Sequence, residues 1–556
     1  MRRLIFLALL AVTPDAQARA VQPVAADTAL HGYVLGRYAL ADDQLARAAR
    51  FFDDARSRDP GRAALVRRSF DLAVASGERE RSFTLARQLA DADQSDSDVA
   101  LVRLADAVVR KDWRAADAAR GGLADAGYAV VVGPIVDAWT LFDRGKRAEA
   151  LARLDPAGVS GFARSYMAEQ RAHMLAADGQ WAAAAAGYAD LRGGTGVGIA
   201  YLRIGEADAR AMGGEREAAL KLLAGDDPAV AAARQRLVAG NRIGALAPGA
   251  RRGIGWMTAR LASDLSRDKP VALALLFARV GTFLAPDIPA TWLICGDVLA
   301  RSEQREAALA AYARVPLTDA LADAAQGRRA EVLEGMGRGA DAGAILKAAT
   351  EVRTASPDDW MRLGDWHRRA SRFPDAISAY THAITLAAPD AARWGLYFLR
   401  GSMNERAGNW SLAERDLREA LVRSPDEPVV LNYLGYSLLD RTANNAEAAK
   451  LIERAAKLRP GDGGIIDSLG WSQYRSGRYA EAVGSLEKAA ALEAADPVVN
   501  EHLGDAYWRT GRRIEARFRW RAALDLDPDE AQRKSLMSKL DYGLDAALAM
   551  AATVPK

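Results

Sequence analysis

The chain has 556 residues, of which 50% are hydrophobic and 26% are charged, a composition that excludes an intrinsically disordered or collagen-like protein. Its 75 Lys and Arg residues against 72 Asp and Glu leave a formal net charge of +3, without the basic excess typical of a dedicated nucleic-acid binder. Since Cys295 is the single cysteine, no intrachain disulfide is available and packing must stabilise the fold.

The first predicted element is an export signal over residues 1–20. A basic start is followed by an apolar run over residues 4–12 and a small-x-small ending at residues 18–20. This layout is typical of a secretory signal peptide cleaved after Ala20. The apolar run is shorter than the ~20 residues that span a bilayer, and no later segment suggests a transmembrane helix. The sequence therefore predicts a periplasmic or secreted mature protein; a cytoplasmic protein is the alternative.

Residues 21–240 predict a diverged array of paired helices, because helix-length segments alternate there with turns that carry Gly or Asp. The stretch over residues 239–255 is the most loop-like in the chain, and it predicts a boundary. Residues 241–288 are expected to form a loop and a transitional helix pair.

The segment from residue 289 to residue 530 repeats itself. Leu-Gly pairs recur at nearly constant spacing, at Leu363, Leu434, Leu469 and Leu503. With each of these leucines set as position 7 of a unit, large residues recur at positions 4, 7, 11 and 24, and small residues recur at positions 8, 20 and 27. The large residues form stripes at helical spacing, and the small residues let two helices approach closely.

This pattern resembles the tetratricopeptide repeat (TPR), a pair of antiparallel helices of about 34 residues. Seven or eight units fit the frame in phase. The resemblance implies an all-α, right-handed superhelix of stacked helix pairs, since one pair alone cannot bury its apolar face. Residues 531–556 are expected to form a capping helix and a tail.

The resemblance also implies a binding surface, because positions 2, 5, 9, 12 and 13 of the first helices line the inner groove of such proteins and bind partner peptides. Aromatic and Arg side chains suit protein contacts, although Arg at a helix end is also ordinary capping. Trp471 and Trp508 are expected at the surface, away from the packing stripes. The candidate groove residues are Arg369, Arg406, Tyr436, Asp467, Trp471, Tyr474, Arg475, Glu501, Asp505, Trp508 and Arg509.

A known variant of the family clamps a C-terminal carboxylate with Lys and Asn at positions 5 and 9. Here Asp467, Glu501 and Asp505 occupy such positions, and these acids would repel a carboxylate. An adaptor for chaperone tails is therefore disfavoured.

No catalytic constellation is recognisable. The glycine-rich stretch over residues 193–198 lacks the Lys-Ser/Thr of a phosphate loop and is interpreted as an inter-repeat loop. Cys295 is expected in the core, as is one histidine, while the other histidines are expected at the surface. The five histidines, none at metal-ligand spacing, are His31, His173, His367 (the core candidate), His382 and His502.

The sequence thus predicts a non-catalytic scaffold of the cell envelope that binds a protein partner in its groove. No cofactor, metal or nucleic-acid partner is expected. The alternative is a periplasmic TPR subunit of an exopolysaccharide export or cell-wall assembly machine, in which the groove contacts a glycan pathway.

Overall fold

A computed structural model describes most of the chain between residues 29 and 552. The predicted signal peptide and most of the glycine-rich stretch 193–198 lie outside the described residues. The described residues form 31 α-helices and no strand, which confirms the predicted all-α solenoid. Among them, no helix combines the length and apolarity that a membrane crossing requires. The segments left out between residues 29 and 552 are residues 43, 125–126, 157–158, 160, 193–197, 226, 245, 268–271, 353–354, 388–393 and 442–444.

Backbone contacts divide the chain into two compact units, one ending at Ala342 and the other beginning at Gly343. The division lies within a helix, rather than in the loop-like residues 239–255. The helices of the N-terminal unit are α1 Ala29–Ala41, α2 Leu45–Arg58, α3 Ala63–Ser76, α4 Arg79–Asp91, α5 Ser97–Arg110, α6 Trp113–Gly121, α7 Ala129–Asp143, α8 Arg147–Arg153, α9 Gly161–Ala177, α10 Trp181–Leu191, α11 Ile199–Met212, α12 Arg216–Leu222, α13 Pro228–Val238, α14 Ala250–Leu265, α15 Ala272–Leu284, α16 Pro289–Arg301, α17 Arg305–Tyr312 and α18 Ala322–Gly335.

The remaining helices run from the division to the C-terminus. They are α19 Gly339–Thr350, which contains the division, and then α20 Pro357–Arg369, α21 Phe373–Leu386, α22 Trp394–Arg406, α23 Trp410–Arg423, α24 Pro428–Arg441, α25 Asn445–Leu458, α26 Gly463–Arg475, α27 Tyr479–Leu492, α28 Pro497–Arg509, α29 Arg513–Asp525, α30 Glu530–Tyr542 and α31 Leu544–Ala552.

Several helix pairs depend on a close contact between a glycine of the first helix and a large side chain of the second. A Cβ on Gly504 would lie 2.4 Å from Nε1 of Trp520, and a Cβ on Gly364 would lie 2.5 Å from the Tyr380 ring. Both aromatic side chains are fully buried. The contact explains why the Leu-Gly pair repeats, and it confirms the sequence interpretation of that pair as a packing rule.

The same large side chain often makes a second contact with the first helix. Tyr380 donates its hydroxyl to Asp365 Oδ1 at 2.8 Å, and Trp520 donates Nε1–H to Asp505 Oδ1 at 2.9 Å. Both acids occupy position 9 of their units, so position 9 can serve the helix pair itself as well as the groove. A hydrogen bond to the carboxylate also satisfies the polar end of a buried aromatic side chain.

The α14–α15 hairpin forms the centre of the N-terminal unit. It packs against α3, α5, α7 and α9, the first helices of four successive pairs. The Phe277 ring meets the Tyr128 ring edge-on, with 5.0 Å between centroids. Arg279 donates from Nε and Nη2 to the Ala75 carbonyl at 3.0 and 2.6 Å, at the C-terminal end of α3. Residues 241–288 therefore contribute a buried core element, and the inner face of this unit is covered by the chain itself.

A buried polar cluster joins this hairpin to α9. Glu169 accepts hydrogen bonds from Trp256 Nε1 at 2.8 Å and from Arg260 Nη1 at 3.3 Å. Burial opposes the charged carboxylate, but hydrogen bonding to His173 and attraction to Arg260 hold the pKa of Glu169 below its ordinary value. His173 in turn lies 2.8 Å through Nδ1 from the Tyr188 hydroxyl.

The expectation that His173 lies at the surface is wrong, since the residue is 1% exposed. The series of acid, histidine and hydroxyl resembles a catalytic relay in composition, but Glu169 and Tyr188 are also buried. The cluster therefore holds α9, α10 and α14 together.

We expect Phe277→Ala to lower the free energy of unfolding of the N-terminal unit by about 3–5 kcal/mol, because it removes a fully buried ring from the hairpin. Val130→Ala on α7, where the side chain is 60% exposed, should change it by less than about 0.5 kcal/mol. Denaturant unfolding followed by hydrogen exchange in α5 and α7 measures both. Equal stability of the two variants would show that the hairpin is not part of the core.

Candidate partner-binding surface of the C-terminal unit

The candidate residues lie on α20, α22, α24, α26 and α28, the first helices of five successive pairs. The structure gives them three degrees of burial. Asp467 and Asp505 are buried. The exposed residues are Arg369, Arg406 and Arg475, and the half-buried residues are Tyr436, Trp471, Tyr474, Glu501, Trp508 and Arg509.

Three rings form a flat stack across α26 and α28. The Trp471 ring lies parallel to the Tyr474 ring, with centroids 4.8 Å apart and planes 6° apart. It also lies parallel to the His502 ring, at 4.0 Å and 13°. We call Trp471, Tyr474 and His502 the aromatic stack. It holds Trp471 in one orientation while leaving part of its ring at the surface.

His502, one member of the aromatic stack, is hydrogen-bonded to a carboxylate. His502 Nδ1 donates to Asp467 Oδ2 at 2.9 Å. Burial opposes the charged imidazole, but attraction to Asp467 raises the pKa of His502 above its ordinary value. The expectation that His502 lies at the surface is wrong, and Asp467, only 6% exposed, is turned toward this histidine.

The arginines at the ends of the first helices are positioned by contacts within the unit. Arg475 donates from Nη2 to the Leu439 carbonyl at 3.2 Å. The Arg406 guanidinium lies 5.6 Å from the centroid of the Phe373 ring. Both side chains still expose surface, so capping and partner contact are compatible at these two positions.

The last two helices follow the final repeat, where the sequence predicts one capping helix and a tail, and they reach candidate groove residues of α28. Lys539 of α30 places Nζ 2.6 Å from Glu501 Oε1 and 2.8 Å from Asp505 Oδ2. Burial opposes charge on Glu501, but Lys539 holds its pKa below the ordinary value. Burial raises the pKa of Asp505. Glu501 and Asp505 therefore hold the capping helix in place. Because Lys539 compensates their charge, they would repel a ligand carboxylate less than two unpaired acids would.

Trp508 is also covered by the cap. Its Nε1 donates to Asp545 Oδ2 at 2.9 Å, and a Cβ on Gly543, which has φ +82°, would lie 2.4 Å from its ring. Arg513 lies 3.7 Å over the same ring. The expectation that Trp508 stands at the surface, away from the packing, is wrong.

Arg509 shares this environment. Its Nη1 lies 2.5 Å from Asp545 Oδ1, and its Nε donates to the Tyr474 hydroxyl at 3.2 Å. One sequence signal could have revealed the contact of the cap with the first helices. Lys539 follows Leu536 by three residues on the apolar stripe of the capping helix, and a lysine in such a stripe needs an acidic partner.

Within the residues that the structure describes, no group of three His, Cys, Asp or Glu side chains is arranged to hold a metal ion. Cys295 is buried, as the sequence predicts, and burial raises the pKa of its thiol.

Stacked helix pairs with a side-by-side row of first helices define a helical-repeat scaffold, a class that binds other proteins. A tetratricopeptide repeat family model matches residues 473–540. A TPR repeat-containing protein of Pseudomonas aeruginosa is 43% identical over 83 residues, which cover 15% of this chain and 14% of the relative. Residues 473–540 are therefore tetratricopeptide repeats, a fold that supports protein–protein interaction and is typically non-catalytic.

The cytochrome c-type biogenesis protein CycH of Rhizobium meliloti is 31% identical over 129 residues, or 22% of this chain and 33% of the relative. The matched regions thus span a third or less of these two relatives. Among solved structures, YrrB, a TPR protein with an unusual peptide-binding site, is 17% identical over 34% of this chain and 95% of its own, with a TM-score of 0.28. The APC/C hetero-tetramer Cut9-Hcn1 is 14% identical over 92% of this chain and 96% of its own, with a TM-score of 0.38.

We expect Lys539→Met to destabilise the C-terminal unit by about 3–5 kcal/mol, because it leaves the buried Asp505 and the half-buried Glu501 without their cation. Lys534→Met, on the same helix but 75% exposed in its side chain, should cost less than about 0.5 kcal/mol. Hydrogen exchange in α30 and α31 and denaturant unfolding measure the loss. Adding Glu501→Gln and Asp505→Asn to Lys539→Met should restore part of it; no restoration would argue against the ion cluster as the attachment of the cap.

Proposed function

We propose that the protein is a non-catalytic scaffold of the cell envelope that holds a protein partner on the first helices of its C-terminal unit. The observation that carries this proposal is the aromatic stack, which presents a fixed, half-buried Trp471 beside the exposed Arg475. Trp, Tyr and Arg dominate the energetics of protein interfaces, and a ring that is already held in place loses little conformational entropy on binding.

The surface extends from the aromatic stack toward the start of the unit. Tyr436 on α24, Arg406 on α22 and Arg369 on α20 precede Trp471 on successive first helices. The corresponding face of the N-terminal unit, formed by α3, α5, α7 and α9, is covered by the α14–α15 hairpin. The C-terminal unit is therefore the better candidate for a partner, with Asp467, Glu501, Asp505, Trp508 and Arg509 supporting the surface from within.

The envelope location rests on the export signal over residues 1–20. We expect the mature protein isolated from its host to begin at Val21, as cleavage after the small-x-small sequence requires. Sequencing the N-terminus of the protein from fractionated cells measures this. Retention of residues 1–20 in a cytosolic fraction would overturn both the signal and the envelope location.

Partner binding can be tested with a photo-crosslinking amino acid placed at Arg406 or Arg475 in the living host. We expect one protein to be captured at both positions, and not from Val422, a matched control that is 74% exposed on the second helix α23. Trp471→Ala should reduce this capture by about tenfold or more, since an interface tryptophan contributes at least about 1.4 kcal/mol.

The stability cost of Trp471→Ala should be about 1–2 kcal/mol, because the half-buried ring loses its stacking and part of its packing against the hydrophobic cluster around Leu434 and Leu438. Capture of glycan-linked species alone would favour the alternative of a polysaccharide export or cell-wall assembly subunit. Equal capture from Val422 and Arg475 would contradict a binding surface on the first helices.

A further inference from the structure

A cleft of about 470 Å³ in the N-terminal unit combines four cations with one carboxylate. It lies where α5 and α7 end and α8 and α14 begin. Its charged walls are Lys111, Arg147, Arg251, Arg252 and Asp143. The chain as a whole is nearly balanced, with a net charge of +3 over 556 residues. The cleft is therefore a local concentration of positive charge that composition does not explain.

The cations of the cleft outnumber the carboxylates that pair with them. Asp287 alone serves two of them, at 3.1 Å from Arg251 Nη2 and 3.7 Å from Arg252 Nε. That Arg252 Nε is buried without a hydrogen-bond acceptor among the described residues. Burial, which Asp287 only partly offsets, and the neighbouring Arg251 lower the pKa of Arg252. The two guanidinium groups are therefore under-compensated.

The other two cations that line the cleft are Lys111 and Arg147. The Arg147 guanidinium rests 3.9 Å over the Phe142 ring and is 3.2 Å from Asp178, outside the cleft. No carboxylate of the described residues lies within salt-bridge distance of the Lys111 ammonium. Both side chains are exposed, so a ligand in the cleft could reach them.

The backbone also adds positive potential to the cleft. The 16-residue helix α14 begins at Ala250, and its first N–H groups lie at the cleft. The Ala250 N–H donates to Asp143 Oδ1 at 3.2 Å. Asp143, the one carboxylate among the described residues that line the cleft, thus already acts as an anion at the helix N-terminus. Burial raises the pKa of Asp143 even though the Ala250 N–H, Lys111 and Arg147 all favour the charged carboxylate, so this one anion is shared between two cations and a helix N-terminus.

We infer that this cleft binds a small ligand through phosphate oxygens that carry two or more negative charges. Two arginines can donate in pairs to phosphate oxygens and a lysine adds a point charge, while a single carboxylate would leave several cations without a partner. The volume suits a small ligand rather than a nucleic-acid strand. A soluble phosphate ester and a lipid headgroup offer the same oxygens. The cleft is independent of the proposed partner-binding surface, because it lies in the other unit.

The test is isothermal titration of the mature chain with inorganic pyrophosphate at fixed ionic strength. Lys111→Gln with Arg251→Gln should weaken binding by about tenfold or more, as loss of charge-assisted contacts predicts. Asp143→Asn should tighten it, since the amide oxygen still accepts from Ala250 while the repelling charge is gone. The matched control, Lys488→Gln with Arg521→Gln on exposed positions of the C-terminal unit, should leave it unchanged.

The double variant is expected to weaken pyrophosphate binding and Asp143→Asn to tighten it. Since Asn has nearly the same size and shape as Asp, the second measurement still tests the proposal if the double variant folds poorly. Absence of pyrophosphate binding, or equal weakening by the control, would overturn it, as would weaker binding by Asp143→Asn. Flotation with vesicles of phosphatidic acid and phosphatidylcholine distinguishes a lipid headgroup from a soluble phosphate ester as the ligand. Retention on phosphatidic acid that is lost in the double variant assigns a lipid headgroup. Binding of pyrophosphate without vesicle retention assigns a soluble ligand.

Discussion

The contact of a first-helix glycine with a large ring of the second helix is the constraint on which the array depends. Gly364 under Tyr380 and Gly504 under Trp520 bring the helix axes close enough for the ring to fill the space where a Cβ would lie. Because that contact uses one face of the first helix, the opposite face remains for other contacts. Whether that opposite face is covered by other helices of the chain or left exposed decides whether it can bind a partner.

In this chain the opposite face is covered in two ways. In the N-terminal unit the α14–α15 hairpin packs against four first helices and becomes part of the core. At the end of the C-terminal unit, the capping helices use Lys539 and Asp545 to engage residues of α28. Between these covered regions, the first helices α20 to α26 keep aromatic and arginine side chains at the surface. Self-covering thus concentrates the candidate binding surface in the first part of one unit.

Much of the fold follows from the sequence, because the packing rule is local and repeats. The Leu-Gly pairs and the buried Cys295 are both readable from spacing alone. The hairpin was not recognised as a core element, because its partners are remote in sequence. The sequence of α15 does indicate a core helix, because it is apolar around nearly its whole circumference and such helices are buried on every side.

The candidate surface could be predicted only in part. The frame assigns position 12 to the groove, yet Trp508 at that position lies under Gly543 because the following helices turn back over it. The repeat frame also cannot decide whether a side chain at position 9 faces the groove or the helix pair. Asp505, at this position, accepts a hydrogen bond from Trp520 of its own unit. Pattern within a repeat therefore locates a face, but contacts from outside the repeat decide which residues on that face stay accessible.

The hairpin also changes the order in which the molecule can assemble. Arg279 meets the Ala75 carbonyl across 204 residues of chain, whereas in an ordinary solenoid each repeat closes on the next. As the chain emerges, from a ribosome or from an export channel, the inner face of α3 therefore stays uncovered until α15 has followed it. The N-terminal unit must therefore keep an apolar face from aggregating during that interval, and it cannot be shortened repeat by repeat as a nearest-neighbour array can.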